Sequence, residues 1–280
     1  MPYHGKKFQM PAEVGSTQSV DRALSLLRVF VTGRAELRLS DVARLAGLGT
    51  STTSRLLSTL ESAGFVDRDP TTGLYRLGLD LVSLGGSALN HHPVHREARP
   101  VAQHLAAVQG LGANVAVRRG ASLFYLMNFE GGSVSRSYVL SGQRKPLHAT
   151  ALGKSLLCSL TPDERRALLP EAALVPYTPN TVTDHERLDA EVDLVLARGY
   201  AVEREELAHG RACLAAPVRE ATGAIVAAIS VSGPLSAIDL SGRETAGRET
   251  ALARAVVEAA DSISVGLGYV GPPVLVGAVR

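Results

Sequence analysis

The sequence predicts an α+β protein with an N-terminal winged helix-turn-helix, a linker helix and a larger C-terminal α/β domain. Three observations predict it. Between Ser40 and Leu77, two short helical patterns joined at a glycine turn precede two alternating segments around a turn signal. Beyond His91, helical and strand patterns interleave. At 280 residues the chain is long enough for two domains, each with its own core.

Taken in order, residues 1–15 are polar and unpatterned and read as a disordered tail. From Val20, the positions Val20, Leu24, Leu27 and Phe30 (with Val31) predict a first helix that supplies core for two shorter ones. Val42, Leu45 and Ala46 follow Ser40, a candidate N-cap, and predict the first of these. Gly47 and Gly49 bracket a tight turn. Leu56, Leu57, Leu60 and Ala63 then form the stripe of a second helix, which Gly64 can end in the left-handed conformation. Phe65–Arg68 and Leu74–Leu77 alternate as strands around Asp69-Pro-Thr-Thr-Gly73, a hairpin wing.

The outward face of the second short helix carries Ser51, Thr52, Ser54, Arg55, Ser58 and Thr59. Ser and Thr are each roughly 0.5 kcal/mol poorer helix formers than Ala, and solubility alone would favour Glu and Lys. Short hydroxyls with one Arg, and no acid before Glu61, suit close approach to phosphates and base edges in a major groove. Thr71, Thr72 and Arg76 extend the candidate DNA contacts into the wing.

Leu79 to Leu89 resumes a helical pattern around Gly85 and Gly86, the linker helix. His91-His92-Pro93 breaks it. His91, His92 and His95 have no acid or Cys at matching spacing, so no metal is expected. Val94–Val108 predicts a helix, and Asn114–Arg118, Ser122–Asn128 and Ser135–Val139 three strands. Thr150–Leu160, a helix opened by Thr161-Pro162, and His185–Arg198 follow. Strands at Tyr200–Glu203, Cys213–Val218 and Ile225–Val231 precede a closing helix, Arg243–Gly266.

Composition excludes several classes. Two Cys, Cys158 and Cys213, make neither a disulfide framework nor a paired zinc motif. The N-terminus has no apolar core for a signal peptide, and no stretch is long and apolar enough to span a membrane, so a soluble cytoplasmic protein is expected. Residues 1–90 hold ten Lys/Arg against eight Asp/Glu, while residues 91–280 hold nineteen of each. The +2 net charge thus lies in the N-terminal third, which weakly favours a nucleic-acid partner there.

Five segments, in order, resemble the IclR family of bacterial transcription regulators over roughly residues 18–267. They are Ser19-Val-Asp-Arg-Ala-Leu-Ser-Leu-Leu27, the winged helix, Leu147-His-Ala-Thr-Ala-Leu-Gly-Lys154, Tyr200–Glu206 with Gly210 and Cys213-Leu-Ala-Ala-Pro-Val218, and Ala227-Ala-Ile-Ser-Val-Ser-Gly-Pro234. The resemblance implies an effector-binding C-terminal domain with a GAF-like or profilin-like sheet. It also implies a homodimer or dimer of dimers on a palindromic operator, with half-sites about 34 Å apart or a multiple of that. The boundaries then read 16–78 for the DNA-binding domain, 79–92 for the linker, 93–268 for the effector domain and 269–280 for a tail.

By the same resemblance the effector-contacting positions are Ala151, Leu152, Glu203, Cys213, Ser230 and Ser232, with Ser137 nearby. Glu203 stands where members often carry Asp, and Thr53 where the position is more often apolar. The residues argue independently for a polar site. Ala149–Gly153 enters a helix whose first N–H groups are unpaired donors suited to a small carboxylate, and Ser230 and Ser232 share one face of an apolar strand. The expected effector is an organic acid, an aromatic acid or an amino-acid-related metabolite, and no cofactor is expected. Two other readings compete. Cys213, His148 and Glu203 could form a nucleophile, base and orienting group, though no glycine-rich elbow surrounds Cys213. Cys158 and Cys213 could form a redox sensor.

Overall fold

The computed structural model describes residues 17–31, 34–132, 141–238 and 246–271. The chain divides into two units, Met1–Ala88 and Leu89–Arg280, with separate apolar cores.

In the first unit, α1 (Gln18–Val31), α2 (Leu39–Ala46) and α3 (Thr50–Ser62) are followed by the hairpin β1 (Val66–Arg68) and β2 (Tyr75–Leu77). One core joins Leu26, Phe30, Leu37, Val42, Leu57, Leu60, Val66 and Tyr75. The buried face of α1 is Leu26 and Phe30 with Ala23 and Leu27, at i, i+3, i+4 and i+7. Val20 and Leu24, expected in the core, are exposed. They sit on the neighbouring stripe, which is also apolar, so periodicity alone could not separate the two. Leu45 is likewise exposed, its place taken by Ala43.

Helix α2 begins one residue earlier than Ser40 implies, with Arg38 at the N-cap and no side-chain cap. Both glycine stops hold. Gly47 and Gly64 adopt left-handed φ of 67° and 72°, and the N–H groups of Leu48 and Phe65 reach back to the carbonyls of Ala43 and Leu60, which ends each helix with paired carbonyls. The wing gains a third segment where Leu37 bridges Tyr75 antiparallel. At its tip the Asp69 carboxylate accepts the N–H groups of Thr72 and Thr71 at 2.7 and 2.8 Å, which hold it below the usual carboxylate range.

Helix α4 (Asp80–Asn90) carries Leu79, Val82 and Leu84 exposed about it. In the second unit, α5 (Pro93–Gln109) leads into β3 (Gly112–Arg119), β4 (Ser122–Phe129) and β5 (Arg144–Pro146). Then come α6 (Ala151–Leu157), α7 (Pro162–Leu168), α8 (His185–Arg198), β6 (Ala201–Arg204), β7 (Arg211–Arg219), β8 (Ile225–Pro234), α9 (Leu235–Ile238) and α10 (Ala246–Gly266). Strand β5 was not expected. The expected strand Ser135–Val139, with Ser137, lies outside the described residues, as do residues 243–245 of the closing helix. Helix α6 is shorter than the expected Thr150–Leu160, stopping at Leu157 with Cys158 as its C-cap.

The six strands pair antiparallel in the order β5-β4-β3-β8-β7-β6. Alternation sends Val115, Leu214, Ala216, Ile229 and Val231 to one face, where α5 and α10 cover them. Ala116, Tyr125, Ala215 and Ala228 point to the other, where α6 packs. Gly153 permits that packing, since a Cβ there would run into the Leu147 backbone.

Candidate functional site

On α3, Ser51, Ser54, Arg55, Ser58 and Thr59 are exposed and Thr52 is half-buried, while Leu57 and Leu60 enter the core behind them. Thr53 is wholly buried and donates to the Gly49 carbonyl at 3.0 Å. Its hydroxyl is thereby satisfied at a position that otherwise asks for an apolar side chain. The Thr59 hydroxyl donates to the Arg55 carbonyl at 3.1 Å. Thr71 and Thr72 are exposed at the wing tip. Arg76 is exposed too, and lies 3.5 Å from Asp67 and 3.7 Å from Glu36, exposed pairs of the kind that contribute little.

In the second unit the expected effector residues fall into register. Glu203 on β6 pairs with Cys213 on β7, and Cys213 with Ser232 on β8, giving one row across three strands. The next row runs Ala201, Ala215, Ser230, Asn114 and Asn128. A register shift after Val115 brings Tyr125 to this face as well as Asn128. Ala151 and Leu152, the first residues of α6, pack into the apolar cluster that holds Ala215 and Ala228. Thr150 caps the helix by accepting from the Gly153 N–H at 3.0 Å. The first two N–H groups, of Ala151 and Leu152, have no intrahelical acceptor.

Several polar groups of this face are buried, while Asn128, Cys213 and Ser232 are half-buried. Ser230 is fully buried, and Asn114 nearly so. Burial pushes the Glu203 carboxyl up to about 7, against the N–H groups of Glu206 and Leu207 that donate to it at 2.6 and 3.2 Å. Tyr125 is raised far above its ordinary range, first by burial and then by Cys213 and Glu203. Arg211, to which the sequence assigned no role, adds positive charge toward Tyr125 and Cys213.

Beside this face, Lys154 is wholly buried and donates to Glu206 at 2.6 Å, Glu191 at 3.3 Å and the Val202 carbonyl at 3.4 Å. Thr178 and Thr181 donate to the carbonyls of Glu205 and Glu206. These bonds fix the loop between β6 and β7 that supplies the Glu203 contacts. Asn114, Asn128, Tyr125 and Lys154 were missed in the sequence. A lone Asn in the apolar run Gly-Ala-Asn-Val-Ala-Val was the available signal.

The surroundings of the two cysteines and of His148 favour neither competing chemistry. The Cys213 thiol is pushed up to about 12 by burial and by Glu203, and Cys158 up to about 12 by burial. Both shifts favour the thiol over the reactive thiolate. His148 donates from Nε2 to the Val175 carbonyl at 3.0 Å, and burial lowers its basicity. Among the described residues no His/Cys/Asp/Glu group could hold a metal, and no helix is long and apolar enough to cross a membrane.

Residues 19–70 match the model of the IclR helix-turn-helix domain, and residues 86–265 that of the bacterial transcriptional regulator IclR C-terminal domain. The transcriptional repressor AllR of Klebsiella pneumoniae is 32% identical over 260 residues, covering 93% of each protein. The transcriptional regulator XynR of Escherichia coli is 34% identical over 222 residues, 79% of this chain and 88% of its own. Among solved structures, an IclR transcriptional regulator from Alicyclobacillus acidocaldarius superposes with a TM-score of 0.78 at 28% identity, covering 90% of this chain and 100% of the other. An IclR homologue from Microbacterium hydrocarbonoxydans, complexed with 4-hydroxybenzoate, gives 0.77 at 25% identity, covering 89% and 99%. The relatives are named as regulators and repressors of transcription, not as enzymes. With both of its units matched in order, the chain belongs to the IclR family and is a DNA-binding transcriptional regulator with a C-terminal effector-binding domain.

Proposed function

We propose that this regulator binds operator DNA through Ser51, Thr52, Ser54, Arg55, Ser58 and Thr59 of α3, with Thr71, Thr72 and Arg76 of the wing, and that a small acid changes this binding. Residues 16–78 form the DNA-binding domain, 79–92 the linker and 93–268 the effector domain. The acid is an organic, aromatic or amino-acid-related metabolite held by Ala151, Leu152, Glu203, Cys213, Ser230 and Ser232. The observation that carries the reading is the register of Glu203, Cys213 and Ser232 in one row, with Ser230 in the next, beneath α6. Buried polar groups in two adjoining rows of an otherwise apolar sheet face cost stability unless they are used.

The relative crystallised with 4-hydroxybenzoate supports an aromatic acid, and the relative named as a repressor supports repression. A homo-oligomer matches a palindromic operator. Titrating the full-length protein against DNA upstream of its own gene, over a range of salt, tests the DNA half. A selective complex should lose affinity with a log–log salt slope of about −0.9 per phosphate neutralised. Weak binding equal for every sequence would remove it.

A further inference from the structure

The polar side chains of the sheet form a hydrogen-bond chain that runs from Asn128 through Asn114 to Ser232 and Ser230. Asn128 Nδ2 donates to Asn114 Oδ1 at 2.9 Å. The Asn114 amide therefore presents its nitrogen to β8, where Nδ2 donates to Ser232 Oγ at 3.0 Å and, more weakly, to Ser230 Oγ at 3.4 Å. An amide nitrogen cannot accept a hydrogen bond. Each serine hydrogen must consequently point away from Asn114.

The two serines differ in what lies ahead of that hydrogen. Ser230 is fully buried with the Cys213 sulfur in reach. Ser232 is half-buried, and because its Oγ accepts from Asn114 Nδ2, its hydrogen is turned toward the open side of the face. Gly112, paired with Ser232, keeps β3 clear of it: a Cβ there would sit 3.4 Å from Ser232 Oγ. What Ser232 offers is a donor at the more open position, two residues along the strand from Ser230, which bonds Cys213.

We propose that Asn114, oriented by Asn128, is a positioning residue for ligand recognition: it sets Ser230 and Ser232 as hydrogen-bond donors, so the site takes an oxyanion and disfavours a group that must itself donate. The proposal rests on the reading of this face as the ligand site. A carboxylate only accepts, and so completes the chain from Asn128 through Asn114 and Ser232. A primary amide can complete it with its carbonyl alone, and its NH2 is left facing donors.

The direction of the chain can be reversed without touching Asn114 or either serine. In N128D the ionised carboxylate accepts only. It would draw the Asn114 nitrogen toward itself and turn the amide over, so that Oδ1 faces the serines and accepts from them. Asn128→Leu removes the first donor without supplying an acceptor, and serves as the second variant should N128D fold poorly.

The probes are matched small acids and their primary amides, acetate with acetamide and benzoate with benzamide, titrated against full-length protein by ligand-observed NMR. Wild type should prefer the carboxylates. N128D should lose that preference by about tenfold, the worth of one well-made hydrogen bond, and Asn128→Leu by less, both with the wild-type circular dichroism spectrum. Wild-type binding of carboxylates with the same preference retained in both variants would overturn the positioning role alone. No carboxylate binding by wild type would overturn that role together with the ligand site itself.

Discussion

The two units use the same residue types in opposite surroundings. On α3 the hydroxyls of Ser51, Ser54 and Ser58 are exposed, and the apolar residues behind them hold the helix. On β8 the hydroxyls of Ser230 and Ser232 are buried or half-buried on the face that packs against α6. An exposed hydroxyl can change partners at little cost, which suits a surface that meets phosphates and base edges. A buried one must have its partner in place, which suits a site that answers one ligand. The difference predicts that substitutions on α3 change DNA affinity without changing stability, whereas those near the sheet change both stability and response.

The largest expected effect is at Lys154, whose ammonium is the buried counter-charge of Glu206. Lys154→Met should destabilise the second unit by about 3 to 5 kcal/mol, because it strands a buried carboxylate. Urea unfolding should show the loss in the transition of that unit and leave the DNA-binding unit unchanged. Equal shifts in both would break the comparison.

Next comes Glu203. Burial raises its carboxyl to about 7, above the ordinary glutamate value of 4.5. Below about pH 4.5 both states hold the proton, and between there and about 7 the folded state alone holds it. The stabilisation is thus present at low pH and is lost as pH rises through 7, by at most about 3 kcal/mol. Glu203→Gln keeps an acceptor for Glu206 and Leu207 and should flatten that part of the stability-against-pH curve. An unaltered curve would show that Glu203 is ionised throughout. Smaller again, Arg55→Ala should weaken operator binding by about 1 to 3 kcal/mol with no change in melting temperature. Unchanged affinity would remove Arg55 from the DNA face.

Much of this was legible in the sequence because local chemistry fixed it. Gly47, Gly64 and Gly199 ended helices where a left-handed residue was needed, and the Asp69 turn closed the wing. The helix His185–Arg198 has the expected bounds to the residue; the sequence offers Thr183 or Asp184 as its cap, and Asp184 fills that place, with Gly199 as the stop. What stayed hidden depended on partners distant in the chain. The choice between the Leu24 and Leu26 stripes of α1 depends on where α2 and α3 pack. Strand β5, three residues long, exists only by pairing with β4. Asn114 acquires its role from Ser230 and Ser232, more than a hundred residues later. Lys154 closes the Leu147–Lys154 segment of the sequence, but its burial between Glu191 and Glu206 comes from tertiary packing.

The division of labour between the α3 hydroxyls and the β8 hydroxyls is tested most directly by operator affinity in a Ser230→Ala, Ser232→Ala double variant. Affinity would be measured with and without a metabolite that shifts the wild type. The predicted result is wild-type affinity without the metabolite and no response to it. A response of wild-type size would place the effector elsewhere, and a fall in affinity without the metabolite would contradict the separation of the two roles.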